Sequence, residues 1–430
     1  MLSSQRNLSN AFYALLSLPA TAMGFALCVQ ISALSWIMST KYHLSIEEVG
    51  FVWASGPITG ILGQVIIGLV SDGAWFWGGR RRPFILIGGV LASLMLLAMP
   101  NVDTIANALG TTNLLVIGIA VALVLDLSIN VSFNPTRSII ADVTPEGATR
   151  IKGYTWMQTI SGMFGVVAYL IGAFLGNYTL IYVGVGLVLL FSIIPTLFIT
   201  EPHHLATSEA NGEPTSTAAE NAVGKTDLPQ FLRICFAHAF SWLGVQTMFV
   251  YMFAYAKQMM PAGTNDEGIG QVISIAFAVL NTVGFVLPVA VLEPIAQRFG
   301  RVRTHLTSLA VMSLGYFGIV AFGTSPVSLY GLMLVVGIGW AAVVSLPFAI
   351  MTEKVDKNRM GLFMGIFNLS VVLPQLVASL FAGKFIQAAA DKSIIFVIAG
   401  ASLAVSAVLW LLVKEIEGGE SASVSSGGGH

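Results

Sequence analysis

Residues 68–89 read GLVSDGAWFWGGRRRPFILIGG, and residues 292–305 read LEPIAQRFGRVRTH. In the first, Gly79 and Arg80 follow Asp72 by seven and eight residues; in the second, Gly300 and Arg301 follow Glu293 by the same intervals. Each segment is a short polar connection between long apolar stretches. An acid, a turn glycine and a basic cluster therefore recur at equivalent places, which marks the chain as two related halves. A weaker echo pairs Asp142 with Glu353, each at the end of a later apolar stretch. An acid at one helix end can accept hydrogen bonds from Arg and from the next helix's N-terminus, so Asp72, Gly79, Arg80, Asp142, Glu293, Gly300, Arg301 and Glu353 are read as a gate that latches one face. The plainer reading, juxtamembrane basic residues that set topology, stands equally for Arg81, Arg82 and Arg303. Topology alone does not require the acid or fix its distance.

Outward from these loops the chain is mostly hydrocarbon. It has 430 residues, 56% hydrophobic and 10% charged, where a soluble domain carries roughly a quarter charged. A helix needs about 20 residues to cross a bilayer. Uncharged stretches at 7–40, 49–71, 83–102, 234–256, 268–292, 360–383 and 393–413 each hold one span, and 153–200 and 304–352 each hold a pair joined by a short turn. The segment 112–141, apolar except for Asp126 and Arg137, completes twelve. The fold class expected is an all-α integral membrane protein of two six-helix bundles, 1–199 and 229–415. A polar linker occupies 200–228 and a Gly/Ser-rich disordered tail 416–430. The first stretch lacks a small-residue cleavage site and is read as a retained helix. Of the 20 Lys and Arg, Lys41, Lys257, Lys384 and Lys392 fall on one side and Arg137 within a span; the rest gather with the termini. The positive-inside rule then places both termini in the cytoplasm.

Within ALVLDLSINVSFNPTRSIIADV, residues 122–143, Asp126 lies mid-span and Arg137 eleven residues on. On an ideal helix they sit within about 20° of one face and about 16 Å apart along the axis, so they are expected to line one cavity, with Pro135 between them as a kink. A mid-membrane carboxylate marks a pathway or proton relay by default. Burial and a neighbouring guanidinium act on its proton in opposite senses, which suits a group that must gain and lose one. The alternative for Asp126 is a permanent bond to Ser or Asn on a neighbouring helix. For Arg137 it is snorkelling toward the cytoplasm or pairing with Asp142. The amides Gln30, Gln64, Asn130, Gln158, Asn281, Asn368 and Gln375 suit sugar hydroxyls and equally suit helix-to-helix bonding. Trp36, Trp156, Trp242 and Trp340 are candidates to stack on a sugar face, and His238 reads as a packed polar group.

The segment SDGAWFWGGRRRPFILIGG (71–89) resembles the SD…GRRRPF loop of sucrose and other disaccharide–proton symporters of the major facilitator superfamily, the glycoside-pentoside-hexuronide cation symporter type. LDLSINVSFNPTRSIIADV (125–143) is similar to their fourth-helix motif, and GIGWAAVVSLPFAI (337–350) and RMGLFMGIFNLSVVLPQLVAS (359–379) to their tenth and eleventh helices. The resemblance implies proton-coupled sugar import, with Asp126 as the coupling carboxylate and Arg137 in sugar binding and coupling. By position it implies Gln30, Asn130, Gln158, Asn281, Asn368 and Gln375 as cavity residues, and Trp340 joins them as a substrate-binding candidate. Two departures stand out. Trp77 occupies a place commonly basic in that family, and SWLGVQTMFVYMFAYAKQ (241–258) lacks the acidic motif of plant members and looks bacterial. Maltose or another glucoside fits the pattern as well as sucrose.

The net charge of −1 gives no basic face for nucleic acid. Cys28 and Cys235, the only cysteines, offer neither a disulfide framework nor a metal site. No Walker loop, zinc-spaced His/Cys set or paired nucleophile supports an enzyme. The expectation is therefore a non-enzymatic monomeric transporter in the cell's inner membrane, with a small sugar and the lipid bilayer as partners. Protons are its coupling ion, and no cofactor is expected. Proton-coupled efflux of a small organic solute, or a transporter-like sugar sensor, are the alternatives.

Overall fold

A computed structural model describes residues 3–61, 75–145, 147–201, 226–356 and 359–415. Among them ten helices are long and apolar enough to span a membrane. We label the spans α1 (Asn10–Thr40), α2 (Ile46–Trp53, helical again through 55–61), α3 (Arg82–Ala98), α4 (Leu114–Val143), α5 (Ala148–Leu175), α6 (Asn177–Phe198), α7 (Leu228–Met259), α8 (Asp266–Leu287), α9 (Arg301–Phe322), α10 (Pro326–Thr352), α11 (Met360–Val377) and α12 (Ile394–Trp410). With α2 and the shorter apolar α12 the twelve expected spans are all represented, and the all-α membrane fold is confirmed. Asp72, Gln64, most of the expected linker and all of the expected tail lie outside the described residues.

The helices start where the sequence supplies an oxygen for their unpaired N–H groups. Ser9, Ser45, Asn113, Asp227, Asn265 and Ser325 each accept a backbone N–H at the head of α1, α2, α4, α7, α8 and α10. The pair expected within 153–200 turns on the single residue Gly176, at φ +87°, a conformation that glycine adopts without steric cost. Three spans outrun their expected ends, α11 among them, which continues through a π-turn at Ala378–Ala382 into Gly383–Ala388. After α3, a 3₁₀ turn at Met99–Asn101 leads into a further helix, Val102–Ala108. After α8, a π-turn at Pro288–Leu292 leads into Glu293–Phe299. Proline's missing N–H and bulky ring break the i to i−4 ladder, and the wider π-turn lets the helix continue. Glu293, expected in a loop, is therefore helical.

The packing repeats across the halves. In the first, α1 lies against α5 and α6, and α3 against α4 and α6; in the second, α7 lies against α11 and α12, and α9 against α10 and α12. Hydrocarbon offers no hydrophobic drive between helices, so small residues set how close they come. A side chain at Gly88 or Gly89 of α3 would overlap Ser132 of α4 or Ser192 of α6. The halves meet through α5 with α8, α1 with α8, and α2 with the end of α11.

Candidate functional site

Asp126, at the middle of α4, is only 5% exposed. Gln30 of α1 donates from Nε2 to Oδ1 at 3.0 Å, and Ser55 of α2 donates from Oγ to Oδ2 at 2.7 Å. Asn130, one turn along α4, donates to the Asp126 carbonyl at 2.9 Å and to Thr59 Oγ1 at 3.3 Å. Two neighbouring helices of the first half, α1 and α2, thus supply the carboxylate with neutral donors, and no cation pairs with it among the described residues. Gly56 passes within ordinary contact distance, where a Cβ would lie 3.5 Å from Oδ2.

Arg137 is placed differently from the expectation that it shares a cavity with Asp126. It is exposed into a separate cavity of about 690 Å³ between the halves, lined by Gly60, Ile61 and Asn134 of the first and by Phe348, Phe367 and Asn368 of the second. Its guanidinium lies 4.2 Å over the Phe133 ring, and its carbonyl accepts from the Tyr154 hydroxyl at 3.3 Å. Asp142 is not its partner. The reason for the separation lies in the neighbours: Ser55 and Gln30 close over Asp126, whereas α4 is bordered by open space beyond Pro135.

Of the other sugar-contact candidates, Gln30 and Asn130 converge on Asp126, and Asn368 joins Arg137 on the cavity. Asn281 donates to the Phe277 carbonyl of its own helix at 3.0 Å. Trp340 packs edge-on against Trp242 and Phe249 at 6.0 and 5.4 Å, closing an aromatic cluster. Gln158 is exposed and Gln375 half-buried, and neither joins these two groups. His238 accepts from Trp242 Nε1 at 2.9 Å and stacks on Phe367.

The repeated loops form two equivalent clamps. Arg80 and Arg81 reach Asp142 at 2.9 and 3.2 Å, and Arg301 pairs with Glu353. The carboxylate that sits on each helix start is one the sequence reading missed. Glu201 accepts from the backbone N–H of Arg80, Arg81 and Arg82 at 2.8, 2.9 and 2.8 Å, and Glu415 from those of Val302 and Arg303 at 3.1 and 3.2 Å. Both use the partial positive charge of a helix N-terminus. They also explain the repeated glycine, because a Cβ at Gly79 would lie 2.6 Å from Glu201 Oε1 and one at Gly300 would lie 2.5 Å from Glu415. Glu293, expected opposite Arg301, instead lies 3.5 Å from Gln297 Nε2 on its own helix. Among the described residues, the ion pairs and backbone contacts just named each lie outside the interface between α1–α6 and α7–α12, so they brace the bundle they belong to.

What joins them lies at the far end, away from these basic loops. Trp36 donates to the Asp266 carbonyl at 2.7 Å, Ser32 and Ser274 share a hydrogen bond at 2.7 Å, and Glu267 accepts from the Asn177 backbone N–H at 2.7 Å. Ser35 donates to the Val250 carbonyl at 2.7 Å, and Gly50 lets α2 approach Tyr251 and the Ser379 carbonyl. The halves are tied together by hydrogen bonds toward the far end, beneath a shallow crevice that Ser39 lines, and parted around Arg137.

Comparison with known proteins agrees with this architecture. A family model described as Major Facilitator Superfamily matches residues 16–378 and again 270–428. A sucrose transport protein of Arabidopsis thaliana is 23% identical over 392 residues, covering 78% of this chain and 76% of its own. One from Oryza sativa subsp. japonica is 24% identical over 485 residues, covering 96% and 89%. A general alpha-glucoside permease of Schizosaccharomyces pombe is 28% identical over 290 residues, covering 59% and 52%. Among solved structures, the inward open xylose transporter XylE from E. coli superposes with a TM-score of 0.70 at 15% identity, covering 95% of this chain and 97% of that one. A mutant of the nucleoside transporter NupG gives 0.71 at 14% identity, covering 94% and 99%.

Proposed function

Because the chain belongs to the Major Facilitator Superfamily, we propose that it imports a disaccharide such as sucrose or maltose together with a proton, by alternating access of its two halves. The observation that carries this reading is Asp126: a carboxylate mid-span, 5% exposed, held by two neutral donors. An ionised side chain at a helix centre costs about 2.5–3.5 kcal/mol on insertion scales. A carboxylate with no cation beside it among the described residues is therefore suited to carry a proton through part of a cycle. Arg137 and Asn368 line the cavity between the halves, where a planar cation and an amide suit sugar hydroxyls. The names of the sucrose and alpha-glucoside relatives favour the same substrate class.

In this reading the basic-loop end faces the cytoplasm, both termini lie inside, and the cavity at Arg137 is the inward exit. The protein acts as a monomer in the cell's inner membrane, with the proton as its coupling ion. Protonation of Asp126 permits sugar binding and inward turnover, and deprotonation resets the carrier. The test is proton uptake by purified protein in liposomes on addition of sucrose, maltose, trehalose or glucose. Alkalinisation of the medium with one disaccharide, abolished by Asp126→Asn, establishes symport. No proton movement with any sugar rejects it in favour of efflux or another solute.

A further inference from the structure

On the outer face of the second half, α9 and the segment that prolongs α8 border an apolar slot of about 540 Å³. Val291, Ile295 and Phe299 recur every four residues along one wall, and Arg303, Thr307 and Val311 along the other. The apolar residues of the first wall are 39%, 39% and 56% exposed, so only hydrocarbon covers them favourably. The second wall begins with a cation. Arg303 is exposed and its guanidinium meets no carboxylate among the described residues, while Glu415 is taken by backbone N–H groups. A second guanidinium, that of Arg298, lies 5.3 Å over the Phe299 ring at the same end.

We propose that this slot holds one acyl chain of an anionic phospholipid, with the phosphate seated at Arg303 and Arg298. The dimensions suit it. From Arg303 to Val311 the wall runs about 12 Å along α9, most of the roughly 15 Å depth of one leaflet's hydrocarbon. Charge selects the headgroup: basic pockets at helix ends near the membrane surface attract anionic lipid, each Arg adding about 1 kcal/mol, or about fivefold in affinity.

The test is native mass spectrometry of the full chain with dioleoylphosphatidylglycerol and, separately, dioleoylphosphatidylcholine. The tightest phosphatidylglycerol adduct is expected to weaken about fivefold in Arg303→Gln and to vanish in Val291→Trp, which fills the slot and leaves every charge in place. Phosphatidylcholine, whose choline cation offsets the charge of its phosphate, is expected to bind more weakly and to lose less than phosphatidylglycerol in Arg303→Gln. Unchanged phosphatidylglycerol binding in Arg303→Gln overturns the proposal, and so does equal affinity for the two lipids. A disulfide-linked dimer formed through Val291→Cys assigns the slot to a second copy and also overturns it. Should Val291→Trp fail to fold, the exposed Arg303→Gln variant decides alone.

Discussion

Ser55 holds one oxygen of Asp126 at 2.7 Å and Gln30 the other at 3.0 Å. Hydrogen bonds to a charged group contribute about 1.5–3 kcal/mol each. Ser55→Ala is therefore expected to lower stability by an amount of that order, seen as a lower denaturation midpoint in detergent at neutral pH; an unchanged midpoint would show that water replaces the hydroxyl. Asp126→Asn keeps the shape and the donors but removes the exchangeable proton. It is expected to fold and to lose concentrative uptake by tenfold or more, the magnitude of about 1.4 kcal/mol of lost coupling. Arg137→Lys is expected to weaken sugar-dependent transport, because a point charge replaces a planar fork, read as a raised half-saturation concentration. Asp126 was legible because a lone acid in an apolar run is costly and conspicuous. Ser55 was not: serine in a membrane helix commonly bonds a carbonyl of its own chain, as Ser55 also does to Val52. Nothing local announces that it serves a neighbour. The position of Arg137 was legible only as an angle on α4, and which side of that face is open depends on helices far away in the sequence.

At the level of elements, the helix ends carry the repeat. Asp142 and Glu353 bind the arginines, and Glu201 and Glu415 sit on the starts of α3 and α9. The glycine-to-arginine spacing was readable directly. The two glutamates were not, although each follows the last span of its half, because an acid after a span reads as ordinary juxtamembrane polarity until tertiary contact brings it 121 or 113 residues back to a helix start. Gly300 tests the arrangement. Its φ is +95° and a Cβ would lie 2.5 Å from Glu415, so Gly300→Ala combines backbone strain of about 1–3 kcal/mol with displacement of the cap. We expect a lower thermal midpoint, and Glu415→Gln to lower it less because the amide oxygen still accepts. Equal midpoints for Gly300→Ala and the parent protein would show that the clamp adds nothing to the bundle.

At the scale of the molecule, each half is braced internally at the basic-loop end, and the halves are joined only at the far end in the described hydrogen bonds. That asymmetry is what an alternating carrier requires, since one end must be shut while the other is open. The two-half plan was readable from the repeat; the set of contacts that closes one end was not, because no periodicity encodes it. Its sharpest element is Glu267 of α8 resting on the N-terminus of α6 across the divide, with Asn177 donating at 2.7 Å and Gly176, at φ +87°, leaving room for the carboxylate. An acid on a helix start is a charge-assisted bond of about 1.5–3 kcal/mol, and opening that end has to break it. Glu267→Gln weakens the bond, and Gly176→Val forces the carboxylate away. Either change removes the Glu267 bond from the state described here alone, while the strain of a β-branched residue at φ +87° falls on the α5–α6 turn in both states and cancels from their ratio, so the population shifts by about tenfold or more. A cysteine at Ser39, which lines the crevice between the halves at that end, reports the shift in a background lacking Cys28 and Cys235. Its labelling by a membrane-impermeant thiol reagent is expected to quicken by the same factor in both variants. Unaltered labelling in both would leave closure to Trp36, Ser35 and the Gly50 approach, and would remove Glu267 from the gate.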